Sequence, residues 1–307
     1  MGRVALANIA IQTESASSMA TISHGEQTQP RRFRPFAALA NTTFRIAPGL
    51  KPRAQRMMTK LTYEYLNRRG VETGISFMNY GYALLSDEPR LPLPPEDEDQ
   101  RAGFQMYNAV AGAIDLTGMD VLEIGCGRGG GAAFVAQHLA PRRVTGIDLA
   151  ERAIEQCVAN HRDDRLRFKQ GDAENLPFRE PAFDAVINIE SSHAYPDFDR
   201  FLREVHRVLR PAGHLLFADF REVEAIPQLR SQLAQAGFTI VEEEAITANV
   251  LRSLDENAGR MADVVQRSVP KPLHGLAREF LASEGSVLYK GFRNGELEYV
   301  RIVAQRD

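Results

Sequence analysis

VLEIGCGRGGG, residues Val121 to Gly131, joins a short buried-strand pattern carrying an acidic residue, Glu123, to five closely spaced glycines. Glycines gathered in this way suit a turn whose backbone adopts positive φ and comes close to a ligand with no Cβ between them. Gly125, Gly127 and Gly130 satisfy G-x-G-x-x-G, so the turn alone would suit the pyrophosphate of a dinucleotide equally well. Its neighbours separate the alternatives. A carboxylate two residues before the first glycine repels phosphate from a helix N-terminus but suits a cation, such as the ammonium end of S-adenosylmethionine with its sulfonium nearby. Nineteen residues after Gly129, the apolar run Val144 to Ile147 ends at Asp148, placed to accept from both hydroxyls of a ribose. Further on, RFKQGDAENLPF sets Asp172 to accept from an adenine amino group and the Ala173 amide to donate to the ring.

Three acidic strand ends in this order resemble the class I S-adenosylmethionine-dependent methyltransferases. The resemblance implies that Glu123, Gly125, Gly127, Gly129, Asp148 and Asp172 hold the cofactor, with Leu149, Ala173 and Glu190 beside them. FDAVINIE and VLRPAGHLLFADF match the fourth and fifth strands of the same family. GCGRGGG, GDAENLPF, an E-x-S-H-x-Y-P loop and GELEY together are similar to the mycobacterial phthiotriol dimycocerosate methyltransferases and related actinobacterial enzymes, over residues 75 to 307. That likeness implies O-methylation of a hydroxyl on a large lipid or polyketide. Sterol C-24 methyltransferases carry a similar loop, E-x-x-x-H-A-P, with one more residue between the acid and the histidine.

The expected fold is therefore α/β: a Rossmann-like seven-stranded sheet with helices on both faces and an antiparallel last strand. Strands are expected over Asp120–Glu123, Arg143–Ile147, Leu166–Gln170, Ala185–Ile189 and His214–Asp219, then from Gly237 and over Leu297–Ala304. Helices are expected over Phe104–Ile114, Ala132–Leu139, Arg152–His161, Phe198–Leu209 and Ile226–Ala236, an alternation that argues for parallel strands. Residues 1 to 50 read as a basic solvated tail and 51 to 90 as a helical cap, with a basic amphipathic helix over Lys51–Arg69. Within the cap, ISFMNYGYALL offers Tyr80 and Tyr82 as lid residues. EPRLPLPPEDEDQ is a proline and acid linker, and the methyltransferase domain runs from 101 to 307. An insertion, Ala248 to Ala282, reads as two or three amphipathic helices broken at Val269-Pro-Lys-Pro, forming a lid over an apolar acceptor.

Composition narrows the function. With 307 residues and 44% hydrophobic content, the chain has enough apolar material for one large core with an appendage. No apolar run spans a bilayer and the start lacks a signal-peptide pattern, so a cytoplasmic protein without stable membrane insertion is expected. Cys126 and Cys157 are the two cysteines, which excludes a disulfide framework, and no H-x-x-x-H spacing appears, so no metal is expected. Net charge is -3, yet residues 1 to 60 carry nine Lys or Arg against Glu14 and Glu26. With the arginines clustered late in an unpatterned tail, nucleic-acid binding is not expected. The fourth strand end reads NIESSHAYP, without the thiol of a cytosine-5 methyltransferase or the N/D-P-P-Y/F of an adenine N6 enzyme.

An alcohol acceptor needs a base as the new bond forms. His193, in the loop after the fourth strand, is the candidate, with Glu190 orienting it or touching the acceptor, and with Tyr195 and Phe220 on the acceptor side. C-methylation of a prenyl or terpenoid alkene through a carbocation is the alternative, steadied by the rings of Tyr80, Tyr82, Phe104, Tyr107, Tyr195 and Phe220. A noncatalytic cofactor-binding or assembly protein is the third reading, and a homo-oligomer is left open.

Overall fold

The computed structural model describes residues 76–86, 90–179 and 181–307, so the basic tail and the expected helix Lys51–Arg69 lie outside the described residues. Seven strands form one sheet in the order β3-β2-β1-β4-β5-β7-β6: β1 Asp120–Ile124, β2 Arg143–Asp148, β3 Leu166–Gln170, β4 Phe183–Ile189, β5 Leu209–Glu222, β6 Phe238–Ala245 and β7 Leu297–Arg306. The pairs from β3 through β5 are parallel, and β7 runs antiparallel to both β5 and β6. β1 and β4 read as nearly unbroken buried runs because central parallel strands are covered on both faces. The chain leaves β1 on one side of the sheet and returns at β4, which opens a crevice at the carboxyl ends of these strands.

Helices α1 Arg101–Ala111, α2 Gly130–His138, α3 Glu151–Asn160, α4 Phe198–Val208 and α5 Ile226–Gln235 alternate with the strands. α1 stops at Ala111, three residues short of the expected end, and its start at Arg101 follows directly from a 3-10 turn, Pro95–Gln100. Proline early in that turn lacks only an N–H that the turn leaves unused, while Glu98 pairs with Arg101 at its end. α4 begins at Asp197, whose carboxylate accepts from the Arg200 amide at 2.9 Å, and sends Phe201, Leu202 and Val205 into the core beside Phe217.

β5 is longer than expected, beginning at Leu209 where a helix was expected to end and continuing through Asp219 to Glu222. Pairing with β7 along the whole run from His214 to Glu222 explains the extension past Asp219. The insertion folds as one long helix, α6 Thr247–Ser268, a 3-10 turn at Lys271–Leu273 and α7 His274–Phe280. A further helix, α8 Val287–Arg293, has no counterpart in the sequence reading. It is only seven residues long, is capped by the Ser286 hydroxyl accepting from the Tyr289 amide at 3.1 Å, and packs on β7 and α6. No described helix is long and apolar enough to cross a membrane.

Candidate functional site

The glycine turn leaves β1 with Gly125, Gly127 and Gly129 at φ of 77°, 52° and 81°, a region that side chains with a Cβ rarely enter. Two glycines on, the requirement is space: a Cβ at Gly131 would stand 1.9 Å from the Tyr107 ring. That close approach lets the Tyr107 hydroxyl, on α1, donate to Glu123 Oε1 at 2.5 Å. Glu123 is 1% exposed, and its second oxygen, Oε2, is buried with no hydrogen-bond partner. Burial pushes this carboxyl up to about 7, against the hydrogen bond from Tyr107. An acceptor left over inside a protein is costly, and a cationic ligand donating to it would remove the cost and ionise the acid.

Around the turn opens a cleft enclosing about 990 Å³, mouth included. Asp148 stands on its wall with Oδ2 accepting from the Gly127 amide and Oδ1 from the Ala150 amide, each at 2.9 Å. Each carboxylate oxygen accepts more than one hydrogen bond, so both retain capacity toward a diol. Leu149, Asp172 and Ala173 also line the cleft, with Asp172 Oδ1 accepting from the Glu174 amide at 2.9 Å. Asp148 and Asp172 on the wall, the glycine turn, and the buried acid Glu123 one residue before the lining begins at Ile124 match a cationic nucleoside better than a dinucleotide phosphate, and they fit S-adenosylmethionine.

Past β4 the chain bends sharply at Glu190, whose φ of 47° is rare for a residue with a side chain. Glu190 lines the same cleft, and its Oε1 accepts from the Tyr80 amide at 2.8 Å and the Tyr299 hydroxyl at 2.9 Å. Burial raises this acid to about 8, with the neighbouring Asp219 charge adding to the effect. Neither bond involves His193, whose partner among the acids is Asp219 of β5. His193 Nδ1 lies 2.8 Å from Asp219 Oδ1, and the His193 amide donates to Oδ2 at 2.9 Å. Burial alone would raise Asp219, but the charges of His193 and Arg221, together with the Ser192 hydroxyl, hold it below the usual carboxylate range. These same bonds occupy both Asp219 oxygens.

Tyr195 lines the first cleft. Its hydroxyl lies 2.9 Å from Ser191 Oγ and accepts from Asn188 Nδ2 at 3.1 Å, which ties it into the floor of the first cleft beside Gly125.

A second cleft, enclosing about 1280 Å³, is bounded by residues 77–81, the start of α1, α6 and α7. Tyr80 lines it, while its carbonyl accepts from the Ser253 hydroxyl at 2.8 Å and its own hydroxyl donates to the Phe280 carbonyl at 3.2 Å. Tyr82 lines neither cleft; its amide donates to the Ala102 carbonyl. Met78 and Arg128 line both clefts, so the two meet there. His193 lines neither. Its ring lies 4.8 Å from that of Phe220, which in turn sits 6.1 Å from Tyr80 and 5.5 Å from Phe292.

Tyr107 and Asp219 gain from the structure roles that the sequence reading did not assign them. Asp219 carried a signal, an acid closing an apolar strand, as at Glu123 and Asp148. Tyr107 carried none beyond its place on an amphipathic helix.

The profile of a family described as a methyltransferase domain matches residues 122–217. The fatty-acid O-methyltransferase of Mycolicibacterium smegmatis is 39% identical over 85% of this chain and 94% of its own. The phthiotriol/phenolphthiotriol dimycocerosates methyltransferase of Mycobacterium leprae is 41% identical over 73% of this chain and 83% of its own. Among solved structures, the cyclase SpnF superposes with a TM-score of 0.63 at 23% identity, over 81% of this chain and 94% of that one, which bears on the fold alone.

Proposed function

The chain belongs to the S-adenosylmethionine-dependent methyltransferases, and we propose that it methylates an oxygen of a long apolar molecule bound in the second cleft. One observation carries this reading: the apolar cleft along α6 opens onto the cofactor cleft at Met78 and Arg128, so an acceptor lying there reaches the transfer site. The names of the two relatives speak of fatty acids and of dimycocerosates, and a lipid acceptor suits such walls. When bound, S-adenosylmethionine supplies a methyl group already attached to a good leaving group, so alignment and exclusion of water are the main demands on the protein.

Glu123 Oε2 meets the cationic amino-acid end, Asp148 the ribose hydroxyls, and Asp172 with the Ala173 amide the adenine. Glu190 shapes the wall nearest the second cleft and holds the Tyr80 backbone against it. With Asp219 ionised and accepting from Nδ1, His193 keeps Nε2 as its basic nitrogen; because it stands behind the lining of both clefts, it serves as base for an acceptor hydroxyl that reaches past that lining toward the Phe220 ring. C-methylation of an alkene is the second reading, favoured by the rings of Tyr80, Phe220, Phe292 and Tyr299 gathered beside His193.

Calorimetric titration with S-adenosylmethionine, S-adenosylhomocysteine and NAD, followed by a screen of hydroxylated lipids and prenylated metabolites for the mass gain of one CH₂, tests the proposal. Methyl-donor binding with the new carbon on oxygen, as a methyl ether that withstands alkali or a methyl ester that alkali cleaves, supports it. Products carrying the new carbon on a chain would move the assignment to C-methylation.

A further inference from the structure

We propose that the turn joining α6 to α7 docks on an anionic lipid surface, so that an apolar acceptor passes from the bilayer into the second cleft without crossing water. The destination rests on the reading of that cleft as the acceptor site; the docking itself does not.

From Gln266 to Arg278 the chain carries Arg267, Lys271 and Arg278 and no Asp or Glu, in a protein whose net charge is -3. All three cations are exposed, and among the described residues none of them is in an ion pair. Asp263 and Glu279 bound the stretch, and Glu279 directs Oε2 to the Val287 amide, at 2.9 Å. Leu276 stands 51% exposed among the cations, and Val287, brought beside α7 by that bond, is 47% exposed. The turn also has a fixed shape: the Leu273 amide donates to the Pro270 carbonyl at 2.8 Å, and His274 Nε2 lies 2.8 Å from the Val269 carbonyl.

The same segment builds the second cleft. Ser268 and Val269 at the end of α6 and Ala277 of α7 line it, so each cation is one or two positions from a wall residue. At a membrane surface the exposed apolar side chains enter the interface while Lys and Arg meet the lipid phosphates. An acidic protein or a nucleic acid would also satisfy the cations, but neither calls for an exposed leucine between them at the border of an apolar cleft. Three cations and a partly inserted leucine give reversible adsorption rather than an anchor.

Flotation of the full-length protein, saturated with S-adenosylhomocysteine, with vesicles of phosphatidylcholine alone or mixed with phosphatidylglycerol tests the docking. Residues 1 to 60 carry nine Lys or Arg against Glu14 and Glu26 and are drawn to the same vesicles, so the deciding comparison is between the wild type and variants of the turn. The wild type is expected to bind the mixed vesicles about tenfold or more tighter than phosphatidylcholine. Arg267→Gln, Lys271→Gln and Arg278→Gln combined should weaken that binding about a hundredfold at low salt, a loss that fades as salt screens the charges. Leu276→Ser should weaken it about fivefold, and that loss should persist at high salt. None of the four side chains lines either cleft, so unchanged S-adenosylhomocysteine affinity reports that each variant is folded.

Indifference of the wild type to phosphatidylglycerol, or a folded triple variant that binds as the wild type does, overturns the docking turn. If Leu276→Ser binds like the wild type at every salt concentration, the lipid assignment fails and the cations form a general polyanion site. Dodecanol titrated without vesicles tests the cleft separately: failure to bind the S-adenosylhomocysteine-loaded protein would remove the acceptor-site reading and leave the docking result as measured.

Discussion

The two clefts that meet at Met78 and Arg128 are built by different means. The cofactor cleft is assembled from strand ends: Glu123 lies in register with Gly146 of β2 and Ile187 of β4, so β1, β2 and β4 deliver their terminal residues to one edge. Asp148, Asp172 and Glu190 on its wall each lie at most two positions past a strand end, and backbone amides hold their orientation. Apart from Arg128 of the glycine turn, the second cleft takes its walls from residues 77–81, 100–103, 254–269 and 277–283, which share no ladder and no turn motif. A polar site on a parallel sheet is local chemistry repeated along an edge. An apolar one exists only through packing at long range.

If the clefts are as separate as their construction implies, substitutions should divide cleanly between them. The largest effect is expected at the base. His193→Ala should lower kcat on a hydroxyl acceptor by about 10²- to 10⁴-fold while S-adenosylhomocysteine affinity stays within about twofold, read by initial rates and calorimetry. Asp219→Asn should lose most of the same activity, because an amide no longer selects the Nδ1–H tautomer. Normal turnover by either variant on such an acceptor would end the assignment of His193.

Next in size, Asp148→Ala removes both the diol acceptor and the anchor of the Gly127 and Ala150 amides. Cofactor affinity should fall about a hundredfold or more by calorimetry, with dodecanol affinity in the free protein nearly unchanged. A matching loss in the second cleft would show the two to be one cooperative unit. Val264→Asp inverts the polarity of the second cleft, and an increase of about tenfold or more in acceptor KM at unaltered cofactor affinity is the expected kinetic signature.

Smaller again is the effect of pH. Glu123, raised to about 7, and Glu190, raised to about 8, keep protons in the folded protein that the unfolded chain gives up above about 4.5. Folding is therefore favoured on the acid side of that window, and the free protein should lose stability as pH climbs from about 4.5 to about 8. A cationic ligand favours the ionised carboxylates, so S-adenosylmethionine should release protons on binding and tighten relative to S-adenosylhomocysteine as pH rises. Thermal melts across this range should show a slope that Glu190→Gln flattens at its upper end; an unchanged slope would remove Glu190 from the account.

Most strands, the glycine turn, and the acids Glu123, Asp148 and Asp172 were legible in the chain, because parallel strands are continuous apolar runs and their ends carry the polar residues. Leu166–Gln170 was even placed to the residue. What escaped was contact between distant segments. Thirteen residues before β1, nothing marks Tyr107 as the donor to Glu123, and the clearance it needs depends on the missing side chain of Gly131. Glu190 is three residues from His193 and Asp219 is twenty-six away, yet the nearer acid turns toward Tyr80 and Tyr299 while β5, paired to β4, carries the farther one alongside.

Periodicity and turn chemistry were thus sufficient for an α/β sheet with three acids along one edge, since each of those features is settled within a few residues of backbone, and the resemblance of those motifs to the methyltransferases supplied the activity. The partner of His193, the place of Tyr195 in the cofactor floor and the apolar cleft along α6 belong to the folded chain. They depend on which side chains converge across the sheet and from α6, and the order of the amino acids states no such distance.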